Sequence, residues 1–349
     1  MCNDSVYDIM TTSHQPSAIG RQPLPPRILT NMTFWQSETW THSTTSIYQQ
    51  GSSEGGLSPW REALTLWQRA GDFDVVVTLG DRTSLLYGLL CWITGRHSRQ
   101  IMSEIFIDTP RPANPCWLLK RWFYRRIAHR CTGILTNCSA EIPAIASRFR
   151  IGTDKLRYVP LHTTIAEPRM SERNEGYVLA AGRTLRDYAT LLQAAPSIPA
   201  PIVILCGRDD LIGTTLPANV TVIRDAPRTE YLDRLDRCSV VVIPLLPTER
   251  ATGQIVLLEA MALGKPIAAT RAPGILDHVH DGENGVLVEP GNAEKLAEEV
   301  LRLISQPDRA QQLGMNALGD VKNAYTFDIH ARTKLIATRE LWLAQRKAE

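Results

Sequence analysis

No apolar run in this chain is long enough to cross a bilayer. The longest, Leu85 to Thr94 (LLYGLLCWIT), is about half of the roughly 20 residues that a span requires, and it reads as a buried helix. Charge of one sign is not in excess either, since 38 lysines and arginines stand against 36 acidic residues. That balance denies the chain the broad basic surface on which non-specific nucleic-acid binding depends, so no nucleic acid is expected as a partner. Cysteine is sparse and scattered. The seven, at positions 2, 91, 116, 131, 138, 206 and 238, have neither disulfide-dense nor zinc-type spacing and read as reduced thiols in the cytoplasm. Residues 1–26 mix Ser, Thr, Gln and Pro, contain no apolar core for a signal peptide, and read as a loose tail.

What is present is length and alternation. A chain of 349 residues with 44% hydrophobic content can build two domains, each with its own core. From Trp60 onward helical and strand patterns alternate: WREALTLWQRA, FDVVVTL, SLLYGLLCWI, RQIMSEIFI, CWLLKRWFYRRIAHR, GILTN, AEIPAIASRF and KLRYVPL. This is the pattern of a parallel sheet covered by helices. A polar segment broken by Pro and Gly follows, and then a second run of the same kind begins at YVLAAG. The expected fold class is α/β, with two doubly wound, Rossmann-like domains facing a cleft. The boundaries are 27–165 for an acceptor-side domain, 166–176 for a linker, 177–326 for a donor-binding domain, and 327–349 for a C-terminal helix placed to cross back to the first. Before Trp60, PRILTNM reads as a first strand and the polar, turn-rich stretch after it as a long loop.

The chemistry concentrates in PLLPTERATGQIVLLEAMALGKPIAAT, residues 244–270. A buried strand ends, a Gly-bearing loop follows, a helix opens near Gly253, and Glu259 lies in its second turn. Free amides and the positive end of a helix dipole make such a start a phosphate site. A carboxylate further along the same face can accept both hydrogen bonds of a ribose diol. The plain alternative is an ordinary strand-loop-helix connection.

Together with GKPIAAT and DGENGVLVEPGNAEKLAEEV, this block resembles the C-terminal domain of glycosyltransferase family 4 and its GT-B relatives. The resemblance implies a GT-B glycosyltransferase of hexosyltransferase type, using a nucleotide-diphosphate sugar as co-substrate with no separate cofactor. It implies that Glu259, matching the second glutamate of a Glu-x7-Glu motif, binds the donor ribose. It also implies that Thr252, Gly253, Gln254 and Ile255 form the phosphate-binding loop. The first glutamate of that motif falls at Ala251, and Glu249 lies two residues too early. In AAGRTLRDY, Gly182 is followed by Arg183, with Arg186 standing for the family's lysine, and both cations are expected to meet the leaving diphosphate. Fixed cations there are worth most in the transition state, when the leaving group gathers charge. Ala226 and Pro227 fall where relatives hold the nucleobase through backbone groups. No Asp-x-Asp motif stands at a strand end, so no metal is expected.

On the acceptor side, Asp81 and Glu104 stand at strand ends, where ligands collect in open α/β sheets. Either is placed to deprotonate or orient an acceptor hydroxyl. Asp81 could equally cap a helix starting near Thr83, and Glu104 could pair with an arginine. The segment 117–130 combines Trp117, Leu118, Trp122 and Phe123 with five cations, which suits a helix at an anionic membrane surface or one packed on the sheet with its arginines in solvent. The expected partners are thus a sugar-nucleotide donor, a saccharide or lipid-linked acceptor in polysaccharide or glycoconjugate biosynthesis, and the inner face of the plasma membrane. Two other readings remain open: a sugar-nucleotide epimerase of the same fold, and a donor-binding partner subunit that has lost catalysis.

Overall fold

The structure is a computed structural model and describes residues 24–51, 56–105 and 114–348. The expected tail before residue 24 and the expected continuation of the Ile101 strand beyond Ile105 lie outside the described residues. In chain order the first half contains β1 (Ile28–Thr30), α1 (Glu38–Ser43), β2 (Thr44–Ser46), α2 (Pro59–Arg69), β3 (Val75–Leu79) and α3 (Asp81–Ile93). It continues with β4 (Gln100–Ser103), α4 (Pro115–Arg130), β5 (Gly133–Thr136), α5 (Glu141–Phe149) and β6 (Leu156–Tyr158). The second half contains β7 (Val178–Ala181), α6 (Tyr188–Ala194), β8 (Ile202–Cys206), β9 (Val220–Arg224), α7 (Arg228–Arg237) and β10 (Val240–Ile243). Then follow α8 (Gln254–Ala262), β11 (Ile267–Thr270), α9 (Pro273–Leu276), β12 (Val286–Val288), α10 (Ala293–Ser305), α11 (Pro307–Ala324) and α12 (Phe327–Ala348).

Two six-stranded sheets result, ordered β2-β1-β3-β4-β5-β6 and β12-β11-β10-β7-β8-β9. Neighbours in both pair in parallel. Central strands such as Val75–Leu79 and Val240–Ile243 are apolar at consecutive positions, as burial on both faces requires. The N-terminal region differs from the sequence expectation. The stretch expected to be one long loop contains helix α1, started by the Ser37 side chain accepting from the Trp40 amide, and the edge strand β2. Periodicity over six and three residues is too short to register by pattern alone.

Helix α12 leaves the second half and covers one face of the first sheet. Its Ala331, Ala337, Leu341 and Trp342 join Ile28, Met32, Val75, Val77, Ile101 and Leu135 in one buried cluster. Burying each large apolar side chain of this kind stabilises by roughly 1.5–3 kcal/mol. The contact explains the glycine that opens β5: a Cβ on Gly133 would lie 2.6 Å from Leu341 Cδ1.

In each sheet one place exists where the chain winds away in opposite directions. In the second sheet it lies between β7 and β10, and in the first between β1 and β3. Loops at the carboxyl ends of such strand pairs separate and leave a crevice.

Candidate functional site

The crevice of the second sheet holds most of the residues expected from the sequence. The loop after β7 and the loop after β10 are tied by a bridge between Arg186 and Leu245 and by the Leu246 amide donating to Leu185 O at 3.1 Å. Gly253 caps α8 with φ of 83°. The amides of Gly253, Gln254 and Ile255 have no acceptor among the described residues, as expected for the first turn of a helix.

Arg186 is the cation of this crevice. Its Nε donates to Ala181 O at 2.9 Å and its Nη1 to Thr184 O at 2.8 Å, with Thr252 Oγ1 at 3.4 Å. No carboxylate pairs with it among the described residues. Burial lowers its pKa from the ordinary value, which is the mark of a charge held out of water without a counter-ion. The guanidinium lies directly over Gly182, whose φ of 131° excludes a side chain and whose added Cβ would meet Arg186 Nη2 at 2.2 Å.

Arg183 behaves differently. It was expected beside Arg186, yet it is 65% exposed and pairs with Asp225 at 3.4 Å, a carboxylate it shares with Arg208. Exposed pairs of this kind are worth little, so the Asp225 contact does little to fix the Arg183 side chain.

Glu259 is fully buried. Its Oε1 accepts from Arg228 Nη2 and Thr164 Oγ1, and its Oε2 from Tyr231 OH, each at 2.5 Å. The Arg228 pKa is raised by the hydrogen bond to Glu259, and burial pushes Tyr231 well above its ordinary value. Ala226 and Pro227, the expected nucleobase loop, run directly into Arg228 and so end beside this carboxylate. A carboxylate offers about four lone-pair positions, and three are taken. A diol can use the remaining one and displace the half-exposed Arg228 for the other. Because three donors depend on Glu259, its removal disturbs the core as well as the site. Glu259→Gln, which keeps the shape, is therefore the cleaner probe. Calorimetry with a nucleoside diphosphate should show affinity reduced by about 1–3 kcal/mol, and unchanged affinity would remove the ribose role.

The facing domain reaches the same loop. Gln254 Nε2 donates to Asn137 O at 2.8 Å and lies 3.3 Å from His278 Nε2. Burial pushes His278 down to about 4, so its imidazole is neutral at pH 7. Ser139 donates through both its amide, at 2.8 Å, and its hydroxyl to the Asp277 carboxylate. Glu141 Oε1 accepts the Ala251 amide at 2.8 Å.

The two acceptor-side candidates stand on adjoining strand ends, each held by a lysine. Asp81 is the first residue of α3 rather than its cap, which is Gly80, and it pairs with Lys120 at 3.1 Å. Glu104 pairs at 2.8 Å with Lys334 of α12, a lysine with no solvent exposure, and not with an arginine. Sequence reasoning missed Glu62, which lies at the first sheet's crevice. Asn31 Nδ2 donates to it at 3.1 Å, and Tyr48 and Thr83 donate their hydroxyls. Its place in the first turn of α2 reads as an ordinary acidic helix start and gave no functional signal. Glu141 was also passed over, although it opens the helix that follows β5, as Asp81 opens the helix that follows β3. Among the described residues no group of three or more His, Cys, Asp and Glu side chains is placed to hold a metal ion.

Comparison with known proteins bears on this arrangement. The family described as "Glycosyl transferases group 1" matches residues 175–306. An uncharacterized glycosyltransferase of Methanocaldococcus jannaschii, MJ1178, is 40% identical over 88 residues, which is 25% of this chain and 24% of that protein. Similarity to the capsular polysaccharide biosynthesis glycosyltransferase CapM of Staphylococcus aureus likewise spans only 22% of that protein. A longer match, 27% identical across 85% of this chain and 76% of the relative, is to an MMP alpha-(1->4)-mannosyltransferase of Mycolicibacterium hassiacum. Among solved structures, Anabaena Alr3699/HepE in complex with UDP-glucose superposes with a TM-score of 0.62 at 14% identity. That superposition covers 93% of this chain and 100% of the other, and at such identity it shows the fold alone.

Proposed function

Residues 175–306 belong to the glycosyl transferases group 1 family in a chain of GT-B fold, and from that premise we propose that the protein transfers a hexose from a nucleotide-diphosphate sugar to a hydroxyl acceptor. The observation that carries the reading is Arg186: a desolvated guanidinium that has no carboxylate partner among the described residues, next to a helix start whose first amides have no acceptor among them. Both need an anion, and a diphosphate meets both at once. Glu259 lies one and a half turns into the same helix, within reach of a ribose attached to that diphosphate. In this reading the leaving group's charge is met by Arg186 and amides, with no metal step. The acceptor enters from the first domain, where Asp81 and Glu104 line strand ends. A lysine is paired with each of these carboxylates, and a carboxylate oxygen so placed can accept a hydrogen bond from an incoming hydroxyl.

Thermal shift against nucleoside diphosphates and sugar nucleotides tests donor binding, because a ligand bound only by the native state raises stability. Incubation with the tightest sugar nucleotide and product analysis then separate transfer from release of free sugar or an epimer. A protein stabilised by none of these ligands is not a donor-binding enzyme.

Polysaccharide or glycoconjugate synthesis places the acceptor near a membrane, and α4 supplies a surface that supports such a location. Leu118, Leu119 and Trp122 are exposed, and Arg126 and Arg121 lie over the Trp122 and Trp117 rings. Tyr124, Ile127 and Ala128 anchor the opposite side in the core. No helix among the described residues is long and apolar enough to cross a membrane. Co-sedimentation with anionic vesicles should occur at low salt, weaken as salt rises, and fall when Leu118 and Leu119 are replaced by glutamate. Wild-type protein left in the supernatant at low salt refutes the membrane contact.

A further inference from the structure

At Ala251 the loop before α8 meets the first domain without an acidic side chain of its own, and the neighbouring domain delivers one. Glu249, the only carboxylate of the loop, is 85% exposed and reaches Arg148 of α5 at 3.9 Å. Glu141, the first residue of α5, instead places its Oε1 2.8 Å from the Ala251 amide. Its Oε2 accepts from Thr136 Oγ1 at 3.1 Å, which fixes the carboxylate plane. Glu141 and Arg148 are seven residues apart, two helical turns, so α5 presents both to the loop on one face.

The position follows from donor chemistry. With the diphosphate on the α8 amides and Arg186, its sugar must project out of the second domain, because the acceptor comes from the first. Ala251 lies two residues before the cap of α8, where the loop meets α5 of the first domain. A carboxylate accepts hydrogen bonds and donates none, and a sugar presents hydroxyl donors. Resting on the donor reading above, we infer that Glu141 reads the hydroxyls of the donor sugar and so supplies from the first domain the acidic group that the loop lacks at Ala251. It is a specificity-determining residue, and it completes the donor site only when the two domains meet.

The competing role, a clasp that merely closes the domains, makes a different prediction. A clasp helps every nucleotide ligand. A sugar-reading carboxylate helps only the sugar nucleotide, since it gives an anionic diphosphate nothing but repulsion. Calorimetry on wild type, Glu141→Gln, Glu141→Ala and the double variant Glu141→Ala with Ala251→Glu decides between them. The probes are UDP, GDP, UDP-glucose and GDP-mannose, and the tightest matched pair is carried through. Glu141→Gln keeps a neutral acceptor for the Ala251 amide, so the loop contact survives while the charge is lost. Sugar-nucleotide affinity should fall at least tenfold in both single variants, in keeping with loss of a charged hydrogen bond. Diphosphate affinity should stay unchanged or tighten, and Ala251→Glu should restore sugar-nucleotide affinity to within a few-fold. Unchanged sugar-nucleotide affinity, or parallel loss for diphosphate and sugar nucleotide, overturns the assignment of Glu141 alone. Failure of the wild type to bind any of the four probes overturns the donor reading itself, and Glu141 with it.

Discussion

Replacing Arg186 with alanine is expected to lower turnover by about 10²–10³-fold, the usual cost of removing one preorganised group that stabilises charge in a transition state. The magnitude rests on its setting. Arg186 keeps its charge although burial disfavours it, and two of its donors are spent on Ala181 O and Thr184 O, which aim the remainder of the fork at the crevice. A ground-state diphosphate gains from this charge, but the leaving diphosphate, more negative as the glycosidic bond breaks, gains more. Loss should therefore appear mainly in kcat, with nucleoside monophosphate affinity little changed. Arg186→Lys should fall between wild type and alanine, because an ammonium keeps the charge and loses the planar fork. Steady-state kinetics with the preferred sugar nucleotide measure this directly. Turnover within threefold of wild type would show that the diphosphate does not lie against Arg186.

Gly182→Ala is expected to act nearly as strongly without touching a charged residue. At φ of 131° an alanine is strained by about 1–3 kcal/mol. Its Cβ also falls within 2.4 Å of three guanidinium atoms of Arg186. The arginine is the flexible member, so it is the arginine that moves. Turnover should drop by the same order as in Arg186→Ala, and the melting temperature should fall by several degrees, about 2–4 °C for each kcal/mol in a domain of this size. The double variant provides the sharper check. If Gly182 acts by seating Arg186, then Gly182→Ala in the Arg186→Ala background costs no further turnover. Additive losses point instead to a separate effect of the backbone.

Much of this fold was legible because parallel sheets write themselves into sequence. Runs such as VVVTL and SVVVIPL cannot be surface strands, and regular alternation with amphipathic helices leaves few topologies. Helix α8 was found by its glycine start and glutamate, and the structure places that glutamate inside a network with Arg228, Tyr231 and Thr164. What escaped were elements whose signal is not local. Helix α1 and strand β2 are too short for periodicity. Helix α11 was passed over between two stronger amphipathic segments. The pairing of Glu104 with Lys334 joins residues 230 positions apart, and no composition or spacing links them.

The sequence by itself determined two parallel sheets, the Gly-bearing loop that opens α8, and the carboxylate one and a half turns beyond it, because each depends on residues close together along the chain. Tertiary structure alone decided which charges those loops face. It turned Arg183 toward Asp225 and left Arg186 over Gly182 with no carboxylate among the described residues, since burial and neighbouring carboxylates are set by strand order. It also brought Glu141 to Ala251 across the cleft, a contact 110 residues apart in sequence, because the start of α5 in one domain and the loop before α8 in the other meet only once both sheets have folded.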